Sequence, residues 1–246
     1  PQNCSATRSS PLTAEGNGDA PDSWDWRNKG GVSPVKDQGR AARAGLSQLL
    51  DAWRAPTSSS MVFWRPTLTV VVDCAGDFDN YGCNGGLPSH AFEYIHYAGG
   101  IETEADYPYE AVDQTCQADS SKFALSVGHS FNITEGDETE LKEAVYQQPV
   151  SVAFQVVDDF SGYTSGVYSS TTCENGPADV NHAVLAVGYG SESGMDYWIV
   201  KNSWGTDWGD DGFFKIERGV NMCGIAECNS YPESVAEISS AMHFWQ

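Results

Sequence analysis

"VNHAVLAVGYG", residues 180–190, is the stretch on which the fold turns. Its apolar run, punctuated by glycines, reads as a buried strand, and the residue that opens it is a histidine, His182. Stretches of similar texture surround it: "VSVAFQV" (150–156), "DYWIVKNSW" (196–204) and "GFFKIERG" (212–219). Upstream of these strands, helical spacing dominates. Leu46, Leu49, Leu50 and Trp53 fall at i, i+3, i+4 and i+7 with Pro56 as a stop, and further helices are expected over 89–97 and 138–146. A helical first half and a strand-rich second half predict an α+β protein of two packed lobes, with a cleft between them as the default site.

The 246 residues, 40% hydrophobic and 12% aromatic, are enough to bury a substantial core. Against 13 basic residues stand 34 acidic ones, a net charge of −21, which argues against nucleic acid or an anionic membrane as partner. Free carboxylates titrate near pH ~4, so an acidic compartment relieves part of this self-repulsion. No apolar run reaches the ~18 residues a membrane span needs. The chain starts at Pro1 and shows no basic-then-apolar leader, so any signal or pro-segment is expected to lie outside it. Seven cysteines at wide spacings, with no CxxC pair, favour disulfides over zinc and, beside two N-glycosylation patterns, favour the secretory route. Asn3-Cys4-Ser5 and Asn132-Ile133-Thr134 match the N-glycosylation pattern, which makes Asn3 and Asn132 acceptor candidates. Residues 8–23, "RSSPLTAEGNGDAPDS", have almost nothing to bury and read as an exposed linker between a short cysteine-bearing peptide (1–7) and the body.

His182 and Asn202 carry the chemistry. Alone, each has an ordinary structural reading, a strand-edge histidine and a turn asparagine. Together with Trp204 they suggest a base: a histidine held by an asparagine carbonyl, its bond shielded by indole, poised for a thiol nucleophile. Gln38 is placed to give a side-chain N–H to an oxyanion. "GCNGG" offers Gly85 and Gly86, followed by Leu87, where a backbone can approach an extended peptide; Asn181 and Trp204 are its expected counterparts beside His182. His90, His96, His129 and His243 read as structural or solvated. No metal or cofactor is called for.

The chain resembles the papain-like cysteine peptidases over most of residues 22–232, through "DWRNKGGVSPVKDQG", "VDCAGDFDNYGCNGGLPSHAFEYIHYAGGI", "YPYE", "PVSVAF", "VNHAVLAVGYG" and "YWIVKNSWGTDWGDDGFFKIERGVNMCGIAECNSYP". Within them it is most similar to the cathepsin H and aleurain branch, because "PQNCSAT" (1–7) resembles that branch's mini-chain, a propeptide remnant kept by a disulfide. The resemblance implies a two-lobe fold, a helical left lobe (about 40–127) and a β-barrel-like right lobe (about 128–229) within a domain of 24–232, followed by an unmatched tail, 233–246. It implies pairs Cys4 with Cys228, Cys74 with Cys116 and Cys173 with Cys223, leaving Cys83 a free thiol. It also implies hydrolysis of peptide or protein substrates, cystatin-like inhibitors as partners, a lysosomal or vacuolar address, and aminopeptidase action with Thr7 at the mini-chain's end in the substrate cleft.

One segment departs from the family. Where it has Ser/Ala-Cys-Gly-Ser-Cys-Trp, this chain reads Arg40-Ala41-Ala42-Arg43-Ala44-Gly45, with Ala44 at the nucleophile's position. Written as CGT GCG GCT CGT GCT GGN, these residues become Ser-Cys-Gly-Ser-Cys-Trp when one T is restored in front, and the next codons permit Ala-Phe-Ser-Thr-Thr-Gly. Residues 40–71 therefore read as a frame-shifted stretch of a gene of this kind. The restored frame also puts at position 41 the cysteine that the family bonds to the Cys83 position. As written, the chain is expected to be inactive, and the alternative is a pseudopeptidase that still binds peptides or proteins.

Overall fold

The computed structural model describes residues 8–9, 20–37, 67, 69–110, 112–233 and 235–238. The helical stripe at 46–53 and nearly all of the frame-shifted stretch lie outside them. In chain order the strands are β1 (Arg8–Ser9), β2 (Trp24–Asp25), β3 (Leu125–Val127), β4 (Ser130–Asn132), β5 (Val150–Phe154), β6 (Val167–Tyr168), β7 (His182–Glu192), β8 (Met195–Lys201), β9 (Phe213–Glu217), β10 (Ser230–Pro232) and β11 (Val235–Glu237). The helices are α1 (Thr69–Cys74), α2 (Pro88–Ala98) and α3 (Glu138–Gln147).

Local chemistry sets the helix ends. Pro88 opens α2 with its φ already helical and its missing N–H harmless, and Gly99, left-handed at φ 87°, closes it. Asp137 caps α3 by accepting the N–H groups of Thr139 and Glu140, each at 2.9 Å. In α1, three consecutive valines follow Thr69 in a helix despite their β preference; Val70 and Val71 are buried against Ala91, Phe92 and Ile95 of α2, so packing overrides propensity.

The strand lobe is a nine-stranded sheet in the order β1-β4-β10-β5-β7-β8-β9-β6, with β2 pairing to β7. It runs open from β1 to β6 and is not closed into the barrel-like form that the resemblance implied. β7 is buried on both faces, which is why its sequence is a continuous apolar run: Val184 and Ala186 enter the main core with Phe154 and Trp198, while Leu185 and Val187 pack with Ile199. At Gly188 a β-carbon would stand 2.3 Å from the carbonyl oxygen of Trp24, so glycine is what lets β2 approach.

Two short strands fall in segments that carry no sequence pattern. Arg8 and Ser9, at the start of the linker, pair parallel to Phe131 and Asn132 of β4. β11, in the tail, pairs antiparallel with β3 and forms a two-stranded sheet with it. Helical lobe and sheet each hold their own core, one around Phe92, Ile95 and Ile101, the other around Phe154, Trp198 and Phe214.

Candidate active site

β7 and β8 are antiparallel neighbours, and their ends bring His182 and Asn202 together. His182 Nε2 lies 2.9 Å from Asn202 Oδ1. The same oxygen accepts the N–H of Ser203 at 2.9 Å, and an amide oxygen can only accept, so Nε2 carries the proton and Nδ1 keeps the lone pair of a base. Trp204 lies over the imidazole at 5.1 Å between centroids and 33°, and Phe154 meets it edge-on at 5.9 Å. Asn202 and Ser203 are fully buried, so the bond is kept from water. Desolvation pushes the His182 imidazole below its ordinary value, against a smaller upward pull from Asn202, which favours the neutral form a base needs.

Opposite stands the glycine loop. His182 and Trp204 face Gly85, Gly86, Leu87 and Pro88 across a cleft of about 520 Å³. Gly85 has φ 106° and ψ 179°, a conformation open to glycine, and its carbonyl accepts the N–H of Tyr81 at 2.8 Å. Asn132, Ser230 and Cys228 also line the cleft.

Not every sequence candidate points into it. Both side-chain polar atoms of Asn181 are spent on Val156, Oδ1 accepting its N–H at 2.8 Å and Nδ2 donating to its carbonyl at 3.1 Å. Asn181 is thus a strut for the loop before β7, with only its backbone left for a substrate. Gln38, Ala44, Thr7, Cys4 and Asn3 lie outside the described residues. The segment leading to Gln38 is strapped to the site: Asp37 bridges to Trp204, the N–H of Gly205 donates to the carbonyl of Lys36 at 3.1 Å, and Lys201 Nζ donates to Ser33 Oγ at 3.0 Å.

Disulfides join Cys74 to Cys116 and Cys173 to Cys223. Cys228 is also disulfide-bonded. Cys83 is free, and burial first, then Asp113, raises its thiol above the ordinary range. Asn80, which backs Gly86, was missed by the sequence reading, because the contact pairs residues across a turn without any periodicity.

The family model of papain family cysteine proteases matches residues 20–233. The chain belongs to the papain family of cysteine proteases. It is 54% identical over 213 residues to pro-cathepsin H of Medicago truncatula, covering 85% of this chain and 60% of that protein. It is 51% identical to the thiol protease aleurain of Arabidopsis thaliana, over 94% of this chain and 65% of the relative, and 51% identical to mouse pro-cathepsin H, over 94% and 70%. The chain thus spans 60% to 65% of the length of the first two. Among solved structures it is similar to a digestive procathepsin L2 proteinase of Tenebrio molitor larval midgut, with a TM-score of 0.79, 39% identity, and coverage of 94% of this chain and 76% of the other. No helix among the described residues is long and apolar enough to cross a membrane.

Proposed function

We propose that this chain derives from a thiol peptidase of the cathepsin H and aleurain kind, an aminopeptidase with some endopeptidase action, working in an acidic compartment of the secretory pathway. As written, with Ala44 at the nucleophile's position, it does not hydrolyse peptides. The observation that carries the peptidase reading is the His182 Nε2 to Asn202 Oδ1 pair at 2.9 Å, set under Trp204 and facing Gly85 and Gly86 across the cleft.

In the intact frame, a thiol at position 44 gives its proton to His182 Nδ1, and the thiolate attacks the peptide carbonyl. Gln38 and a backbone N–H hold the oxyanion while His182 returns the proton to the leaving amine. Water, activated by the same imidazole, then splits the thioester. Asn202 keeps the ring oriented throughout. Residues 1–7 form the mini-chain, tethered by Cys4 to Cys228 at the cleft; 8–23 is the linker, 24–232 the peptidase domain and 233–246 the tail. Asn3 and Asn132 carry glycans, and cystatin-like proteins are the expected inhibitors.

The deciding experiment is to sequence the transcript across codons 39–72 and to assay the expressed chain on an aminoacyl dye, with and without a thiol-directed epoxide. A continuous CGSCW-type frame supports the active enzyme; turnover by the Ala44 chain that the epoxide blocks overturns the inactive reading. A second reading, a peptide-binding pseudopeptidase, is favoured by the intact cleft walls in a chain whose nucleophile position is alanine.

A further inference from the structure

β8 ends at Lys201, and Asn202 follows it; the two neighbours serve different partners. Asn202 holds His182, whereas Lys201, one position earlier and so on the other face of the strand, donates from Nζ to Ser33 Oγ at 3.0 Å. Lys201 is fully buried and Ser33 is 9% exposed. The face they share is otherwise apolar: Leu185, the register partner of Lys201 on β7, packs there with Val187 and Ile199, and Val32 lies against them. An ammonium at such a place costs desolvation that an apolar side chain of similar length avoids. What it brings is a directed, charge-assisted bond to a hydroxyl.

Ser33 opens the segment 33–37, which runs along the turn that carries Asn202 and Trp204. Three further contacts hold it there. Val35 fills the space at Gly212, where a β-carbon would stand 2.5 Å from Val35 Cγ1, and the Gly212 carbonyl accepts the N–H of Asn202 at 2.9 Å. The Lys36 carbonyl accepts the N–H of Gly205 at 3.1 Å, and Asp37 bridges to Trp204. Among these four ties, the one at Ser33 has a charged and fully buried donor, which makes it the firmest anchor. The next residue in the chain is Gln38, the oxyanion donor of the peptidase reading, and the inference rests on that reading.

We propose that Lys201 and Ser33 are positioning residues for the reaction: they fix segment 33–37 on the turn after β8, so that the oxyanion donor Gln38 and the base His182 keep one register. Adjacent residues at one strand end then govern both groups, Asn202 the imidazole and Lys201 the oxyanion donor. Lys201 and Ser33 act through Gln38 and do not touch the substrate.

The test has two arms. In the chain as written, NMR compares the Gly205 amide of the unaltered chain with that of Ser33→Ala and, as control, of Ile95→Val, a truncation in the core of the helical lobe. The chemical shift of a fully folded chain does not follow a loss of stability. Ser33→Ala is expected to move the Gly205 amide proton upfield as its bond to the Lys36 carbonyl lengthens, and Ile95→Val to leave it in place. A Gly205 resonance that Ser33→Ala does not move, or that Ile95→Val moves as far, overturns the proposal. In the restored frame, Ser33→Ala is expected to lower kcat roughly 10- to 100-fold with KM unchanged, as a displaced donor does, and to cause no further loss in a Gln38→Ala background. Losses that multiply in the double variant overturn the proposal. A Gln38→Ala enzyme of unchanged kcat overturns the oxyanion reading of Gln38 and the proposal with it, whereas a slow Gln38→Ala enzyme beside a Ser33→Ala enzyme of unchanged kcat overturns the proposal alone.

Discussion

The side-chain carbonyl of Asn80 occupies the place that a β-carbon on Gly86 would need: an ideal Cβ there stands 1.9 Å from Asn80 Oδ1 and 2.7 Å from its Cγ. Asn80 is 1% exposed and its Nδ2 donates to the Phe78 carbonyl at 3.1 Å, so the amide has no room to swing aside. Gly86→Ala is therefore expected to push the loop into the cleft, with about 1–3 kcal/mol of overpacking. A titration with a labelled peptide should show roughly tenfold weaker binding, since 1.4 kcal/mol is a factor of ten, and calorimetry a lowered midpoint. Unchanged affinity would mean that this loop does not face the peptide.

Asn202→Ala removes the acceptor that fixes the His182 tautomer. Asn202 pulls the imidazole upward against desolvation, so its loss lets burial push His182 further down. NMR should find His182 titrating at lower pH than in the unaltered chain. In the restored frame, a buried hydrogen bond worth about 1–3 kcal/mol translates into roughly 5- to 150-fold in kcat/KM. A variant with the same imidazole titration would place the orienting role elsewhere, in Trp204 or Phe154.

Elements with a strong local pattern were legible in the sequence: β5, β7, β8 and β9 from apolar runs, and α2 and α3 as helices expected over 89–97 and 138–146. The fold class followed from their order. What stayed hidden depends on contacts distant in the chain. β1 is two residues long and exists because Arg8 and Ser9 find the edge of β4. α1 is a valine run whose helix is imposed by α2. Whether a sheet closes is decided by its edge strands, not by the alternation within any strand, and here β1 and β6 end it open. Of the candidate site, His182 and Asn202 could be read as a pair, but not that Asn181, one residue away, spends its side chain on Val156.

Glu102 is expected to make the helical lobe sensitive to pH. It is 2% exposed, one oxygen accepts the N–H of Asp119 at 3.2 Å, and burial raises the carboxyl above its ordinary range. A raised carboxyl binds its proton more tightly folded than unfolded, so its contribution is present below the unfolded value and lost as pH rises through the folded one. Glu102→Gln, neutral at every pH, should gain in thermal midpoint relative to the unaltered chain as pH rises from about 4 to about 7. A midpoint difference that does not change with pH would mean that Glu102 titrates alike folded and unfolded.

Cys83, free among the described residues, should be the single thiol found per chain in denaturant without reductant, the proposed Cys4–Cys228 bond adding to those of Cys74 with Cys116 and Cys173 with Cys223. In the folded protein it should react slowly with a disulfide reagent near neutral pH, because burial and the neighbouring Asp113 hold down its thiolate fraction. Its own N–H donates to Asp113 Oδ1 at 2.6 Å, which keeps that carboxylate close. Asp113→Asn should speed the reaction several-fold, and a rate that does not change would leave burial alone as the cause. Finding no thiol in the monomer would mean that Cys83 has taken another partner.

The mini-chain reading makes the sharpest demand on specificity. Cys228 lines the cleft and is disulfide-bonded; on the proposed mini-chain reading, a peptide ending at Thr7 and tethered there through Cys4 would bring its carboxylate toward the reacting centre. An ion pair between that carboxylate and a substrate's free amino group is charge-assisted, worth about 1.5–3 kcal/mol, and the peptide's bulk excludes longer chains on the same side. In the restored frame, deleting residues 1–7 or making Cys4→Ser should therefore lower kcat/KM for free-amine substrates by roughly 10- to 150-fold and raise cleavage of N-blocked and internal bonds. Assaying an aminoacyl dye beside its N-blocked counterpart separates the two effects, since charge acts on the first substrate and steric exclusion on the second. If the truncated enzyme keeps its preference for free N-termini, "PQNCSAT" is only an anchored propeptide remnant, and the selectivity must come from the cleft walls themselves.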